Sequence, residues 1–266
     1  MNSEKVSTYI SNWLKEYSDR SKTNGYIVGI SGGIDSAVTS TLCALTGKKV
    51  VCVNMPIHQK KEEYERGNEH IEWLIKKYPL VTRTEVQLTE SFETLRKSFS
   101  PDVSEHWLSM ANTRARLRMA ALYAIAQTHG LLVAGTGNKV EDYGVGFFTK
   151  YGDGGVDLSP IASLTKTQVF ELGHYFGITD KILSAKPTDG LWEDGRSDED
   201  QIGATYPELE WAMKHIEELK TENEQLLLQD LTERQKEVLK IYFRFHNANL
   251  HKMIPVPVCR VPQELF

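Results

Sequence analysis

Cysteine is scarce: three residues among 266, at Cys43, Cys52 and Cys259, too far apart for a disulfide framework or a zinc site. Cys43 and Cys52 lie in apolar runs, where a free thiol packs as a small hydrophobe. No run approaches the roughly twenty apolar residues that a membrane helix needs, and Met1 to Lys5 has no apolar signal core. A cytoplasmic protein with no membrane partner is therefore expected. Basic charge is not in surplus either. The 31 Lys and Arg against 36 Asp and Glu give a net charge of -5, which argues against a nucleic-acid-binding surface while permitting a local basic pocket. Internal repeats and low-complexity linkers are also lacking. With 40% hydrophobic residues, the chain can bury a full core, and one domain over residues 1–266 is expected.

What is present is most concentrated at residues 25–36. An apolar strand, Tyr26–Ile30, runs into a turn reading Ser31-Gly32-Gly33-Ile34-Asp35-Ser36, and a helix follows. Gly29, Gly32 and Gly33 have no Cβ, so backbone amides can approach phosphate oxygens, and the helix N-terminus favours negative charge there. Ser31 and Ser36 add donors. Asp35 would repel phosphate, so its expected work is to hold a hard cation such as Mg2+. A Walker loop would need a Gly-Lys-Ser/Thr ending, and no lysine is present. Gly29-Ile30-Ser31-Gly32-Gly33 also spells a nucleophile elbow, the mark of a serine hydrolase. That reading requires oxyanion amides from a loop after an earlier strand, and Asp35 would repel the developing oxyanion.

Along the chain, Val6, Ile10, Trp13, Leu14 and Tyr17 mark an amphipathic first helix. Strands at 26–30, 49–55, 82–88 and 131–135 alternate with helices at 36–45 and 62–77 and with a long helix ending near Thr128. This pattern predicts an α/β fold, a parallel sheet flanked by helices in three layers, with ligands beyond the carboxyl ends of the strands. Further helices are expected at 165–176, 207–220 and 232–245, and the proline-rich tail 253–262 should be extended.

A second glycine-rich region, Gly135 to Asp157, starts at the same sheet edge. Thr136, Glu141 and Lys150 could supply a hydroxyl, a second carboxylate and a countercharge for a triphosphate. Its seven glycines from Gly135 to Gly155, beside Phe147 and Phe148, suggest backbone folded against something flat. Lys166, in the first turn of a predicted helix, could be a solvated lysine, but a cation there opposes the helix dipole unless an anion compensates it. Arg114 and Arg118 share a helix face that Arg116 leaves.

The loop Ser31–Ser36 resembles that of the ATP pyrophosphatases at every position. The segments Thr149 to Asp157, Leu164-Thr165-Lys166-Thr167, Lys186 to Trp192 and Ser197 to Gly203 resemble the NAD synthetase family in order and register, and the likeness runs from the first helix to His251-Lys252. The resemblance implies an adenine nucleotide alpha hydrolase-like, Rossmann-like fold. It implies ATP-dependent amidation of deamido-NAD by ammonia, through an adenylate, with release of AMP and pyrophosphate. It assigns Gly29, Ile30, Ser31, Gly32, Gly33, Ile34, Asp35 and Ser36 to the phosphates, Asp35 and Glu141 to Mg2+, and Thr136, Lys166 and Thr188 to ATP. Arg116, Lys150, Asp157, His251 and Lys252 are assigned to deamido-NAD, and Asp153 is expected to orient ammonia, although a plain turn residue would also fit there. The family implies a homodimer; Leu117, Ala120, Ala121 and Ala124 would allow close helix packing, within or between chains.

Thr188–Gly203, acidic and anchored by Leu191 and Trp192, reads as a lid that excludes water. Residues 58–79, richer in Lys and Glu than the corresponding stretch of shorter family members, read as a solvated helix that puts no catalytic residue in doubt. No room exists before the first helix for a glutaminase domain, so free ammonia is the expected donor. Another ATP pyrophosphatase, or a non-catalytic nucleotide-binding module, would share the first loop; the former should carry cysteine pairs or a basic extension, and the latter would not need Glu141 or Lys166.

Overall fold

Two short apolar runs, Gly25–Gly29 (β1) and Lys49–Asn54 (β2), lie side by side in parallel, with Tyr26 opposite Val50 and Val28 opposite Cys52. In this computed structural model, which describes residues 1–188, 197–219 and 229–266, Val81–Glu85 (β3) and Leu131–Val133 (β4) complete a parallel sheet of order β3-β2-β1-β4. The side-chain alternation of a strand divides the core. Tyr26, Val28, Val50 and Cys52 face helices α1 (Ser3–Arg20), α2 (Ile34–Leu45), α3 (Lys61–Lys77) and α7 (Lys166–Phe176). Ile27, Val51 and Val53 face α4 (Thr89–Lys97) and α6 (Trp107–His129). The expected three layers follow from this division.

The single long helix expected before Thr128 is instead three. After α4, Pro101 opens a short α5 (Pro101–Ser104), and α6 starts afresh with the His106 ring accepting the Ser109 N–H. A proline lacks the N–H and clashes inside a helix but fits its first turn, so the periodicity that runs across 98–106 cannot be one helix. Residues 58–79 also differ from expectation. Helix α3 turns Glu63, Gly67, His70, Ile71 and Leu74 inward and packs against the glycine loop.

A third apolar cluster lies away from the sheet, among a π-helical turn at Val140–Val145, α10 (Tyr206–Leu219) and the last long helix, α11 (Glu233–Met253), with Ile202 from the short α9 (Asp198–Ile202). A short α8 (Asp180–Leu183) follows α7. Helix α11 runs well past the expected Phe245. Its polar end stays helical because His246 donates to the Gly144 carbonyl and Asn249 to the Val145 carbonyl. Beyond it the tail has no regular structure until a 3-10 turn at Gln263–Leu265. Among the described residues, no helix is long and apolar enough to cross a membrane.

Candidate active site

The turn after β1 is built from its own hydroxyls. Ser36 Oγ donates to the Gly33 carbonyl at 3.0 Å, and Ser31 Oγ accepts the Gly33 N–H at 3.2 Å. Gly32 has φ +87°, and a Cβ there would lie 2.3 Å from the Glu63 carbonyl oxygen of α3, so only glycine fits. Gly33 caps α2, whose first turn carries Asp35. The loop thus presents a helix N-terminus at the carboxyl end of a central strand, where an anionic ligand is favoured.

Lys166, at the start of α7, reaches this turn. Its Nζ lies 2.6 Å from Asp35 Oδ2 and 3.0 Å from Glu141 Oε1, and its side chain is 4% exposed. The Thr165 and Gln168 capping box fixes the start of α7 and therefore the direction of Lys166. The anions that the helix dipole required for a lysine there are these two carboxylates. Burial alone would lower the lysine's pKa, but Asp35 and Glu141 overcome it and raise it. Asp35 is raised because burial and Glu141 outweigh the pull of Lys166. One ammonium between two carboxylates leaves one negative charge over.

Two residues complete the arrangement without having been singled out from sequence. Asn138, fully buried, accepts the Val140 and Glu141 N–H groups with its amide oxygen and donates to Asp35 Oδ1 at 3.1 Å, so it orients both carboxylates. The Tyr206 hydroxyl donates to Glu141 Oε1 at 2.6 Å, and its ring lies 4.6 Å from Lys166 Nζ. Asn138, just before a helical turn, carried a capping signal; Tyr206 looked like any core tyrosine. Burial, with Glu141, Asp153 and Asp35 near it, pushes Asp142 up to about 7.

The loop of residues 146–155 closes the neighbouring side. Gly154 has a flat partner in Phe148, since a Cβ there would lie 2.4 Å from that ring, whereas Gly146 lies against Asn249 and Gly155 against Met119. Asp153 Oδ1 accepts the Thr149 N–H at 3.0 Å, and burial raises the Asp153 carboxyl. Lys150 Nζ donates to the His251 carbonyl at 2.7 Å, and Lys252 Nζ to the Phe148 carbonyl at 2.6 Å. Arg116 Nε reaches the Lys150 carbonyl at 3.4 Å. These four residues, taken from three separate parts of the chain, therefore meet. Asp157 stands differently: its oxygens take the Val133 N–H and the Tyr123 hydroxyl, tying the loop to β4 and α6. Thr136 is half-buried just beyond β4, and Thr188 is exposed. Arg118, on the helix face that Arg116 leaves, is half-buried and donates to the Met55 carbonyl at 3.0 Å, with its pKa lowered by desolvation to about 10. Of the lid segment, residues 189–196, with Leu191 and Trp192, lie outside the described residues.

Residues 6–255 match the family profile described as NAD synthase. The chain belongs to the NAD synthase family. Among relatives, the NH(3)-dependent NAD(+) synthetase of Mycoplasma genitalium is 39% identical over 82% of this chain and 86% of its own length. The corresponding enzyme of Alkaliphilus metalliredigens is 36% identical over 92% and 94%. The solved structure of an NMN synthetase from Francisella tularensis is similar over 99% of both chains, with 30% identity and a TM-score of 0.83. In this member of the NAD synthase family, Asp35, Glu141 and Lys166 meet at the glycine-rich loop.

Proposed function

We infer that the protein catalyses the ATP-dependent amidation of deamido-NAD to NAD with ammonia. The observation that carries this reading is the convergence of Asp35, Glu141 and Lys166 at the mouth of the phosphate loop. In the first step, the substrate carboxylate oxygen bonds to the α phosphorus of ATP and the bond to pyrophosphate breaks. In the second, the ammonia nitrogen bonds to the acyl carbon, AMP leaves with the electron pair of the acyl C–O bond, and the nitrogen loses a proton. No side chain need form a covalent bond; the chain's work is to align the reactants, neutralise charge and exclude water.

Asp35 and Glu141 suit Mg2+. They offer hard carboxylate oxygens on either side of Lys166, with a residual negative charge, and Mg2+ typically takes one or two carboxylates, with water and phosphate oxygens as its other ligands. Bound there, it would neutralise phosphate charge. Residues 29–36, Thr136, Lys166 and Thr188 hold ATP in this reading, with Lys166 oriented by Glu141 and Tyr206. Arg116, Lys150, Asp157, His251 and Lys252 hold deamido-NAD, and Asp157 also ties their loop to β4 and α6. Asp153, at the tight turn of residues 152–155 and held by the Thr149 N–H, orients ammonia.

Ammonia as the donor is supported within this chain by its cysteines. Burial raises the Cys43 thiol far above its usual range and pushes Cys52 up to about 12, so neither serves as a glutaminase nucleophile. Cys259 lies exposed on the irregular tail. The domain is a single catalytic unit, active as a homodimer in which an exposed α6 stripe of Arg116, Ala120 and Ala124 meets a second copy.

A second reading has its own support: the full-length likeness to an NMN synthetase points to nicotinic acid mononucleotide as the acyl acceptor. One assay separates the two. Purified protein with MgATP and ammonium chloride is offered each acceptor in turn, and amide, AMP and pyrophosphate are measured, beside an Asp35→Ala control. Higher kcat/KM for deamido-NAD, abolished in the control, is the expected result. Preference for the mononucleotide would establish the second reading, and no amide from either would remove both.

A further inference from the structure

The phosphate loop itself contains no lysine, and Lys166, the cation that reaches it, is shared with Asp35 and Glu141. A triphosphate with its Mg2+ still carries net negative charge, and the Asp35, Glu141 and Lys166 group adds one more, so the departing pyrophosphate calls for a further cation at the β and γ groups. Helix α3 supplies a candidate. Its backbone abuts the loop at Glu63 and again one turn later at Gly67, whose amide nitrogen would lie 3.2 Å from a Cβ on Gly32. Between these contacts stands Arg66, half-buried, with Nε donating to the Gly32 carbonyl at 3.2 Å. Among the described residues, its two terminal nitrogens have no protein partner. On the same side, the Gln59 amide donates to the Ser31 carbonyl at 3.0 Å, so the start of α3 and the turn before it fasten onto the loop at two successive carbonyls.

We propose that Arg66 binds the β and γ phosphates of ATP and the departing pyrophosphate. The guanidinium is held by one edge on the loop backbone, which leaves the other edge, with its paired donors, for phosphate oxygens. Nε bonded to Gly32 also fixes the side chain before the ligand arrives, which lowers the ordering cost of binding. The partner it selects is the polyphosphate end of the nucleotide; AMP, lacking those groups, is indifferent to it. The proposal rests on reading the turn as an ATP site and adds a residue that the loop motif itself does not contain.

The test is equilibrium titration of inorganic pyrophosphate, of the non-cleavable analogue α,β-methylene-ATP and of AMP, each with Mg2+, into the wild-type protein, Arg66→Ala and Arg66→Gln. The glutamine keeps a donor for the Gly32 carbonyl and much of the stem, but no charge. Both variants are expected to bind pyrophosphate and the ATP analogue roughly 10- to 100-fold more weakly, with AMP affinity unchanged within about twofold. Unchanged pyrophosphate affinity in either variant, or an equal loss for AMP, would overturn the proposal, the latter by showing that Arg66 only holds the loop in place. Wild-type protein that binds neither pyrophosphate nor the ATP analogue would instead remove the reading of the loop as an ATP site.

Discussion

Lys166 shows how a residue's meaning depends on its partners. In the sequence it is a cation where a helix dipole disfavours one; in the structure two carboxylates justify it. His70 carries a different lesson. It is buried between α2 and α3, its Nε2 lies 3.0 Å from Ser40 Oγ, its ring stacks on Trp73, and its Nδ1 has no partner among the described residues. Burial pushes its pKa down from 6.5 to about 4. The unfolded chain therefore takes up a proton below pH 6.5 that the folded chain refuses until about pH 4. The stability this confers is complete above pH 6.5 and is lost as pH falls toward 4, by at most about 3 kcal/mol. Denaturant titrations of wild type and His70→Gln should diverge in slope across that window; parallel curves would show that His70 is not the group responsible.

At the scale of elements, the decisive contact is the one between α3 and the phosphate loop. Gly32 combines a positive φ with a backbone carbonyl 2.3 Å from where a Cβ would stand, whereas Gly47 has φ +70° with nothing within 4 Å. Left-handed geometry alone costs a non-glycine residue about 1–2 kcal/mol. Gly47→Ala should lose about that much and keep ATP binding. Gly32→Ala must also displace α3 from the loop, so it should lose more than about 2 kcal/mol and bind ATP at least about tenfold more weakly. Equal midpoints and equal ATP affinity in the two variants would mean that the loop can move away from α3 at no cost. The element boundaries were legible to within about two residues where local chemistry sets them: α2, expected from 36, begins at Ile34 after a glycine cap, and α6, expected to end near Thr128, ends at His129 before Gly130. They were not legible at residues 98–106, where helical spacing continues through Pro101, nor at the polar end of α11, which depends on bonds to Gly144 and Val145.

For the whole molecule, the α6 stripe is the feature with consequences. Leu117 and Ala121 pack into the core beneath α6, while Ala120 and Ala124 stay exposed in line with Arg116. A second copy packed on this stripe would place Arg116 at a subunit contact, so assembly and acceptor binding should be coupled. Light scattering of the wild type should give the mass of a dimer. Ala124→Glu should shift it toward monomer and raise KM for deamido-NAD at least about tenfold, with kcat changed less. A variant that becomes monomeric with unaltered KM would separate the interface from the site.

The sequence by itself determined the parallel α/β order and the glycine-rich turn at the head of α2, because strand alternation, glycine sterics and a helix N-terminus act over a few residues. It also determined which residue types were candidates at 136–157 and 251–252. Only the tertiary structure decided that Lys166 meets a carboxylate 131 residues away, that Asn138 and Tyr206 orient the pair, that Asp157 ties its loop to β4, and that Arg66 stands beside the phosphate loop. Those outcomes depend on which helix lies against which strand end, and so on the packing of the two sheet faces and the third cluster, where no local rule reaches.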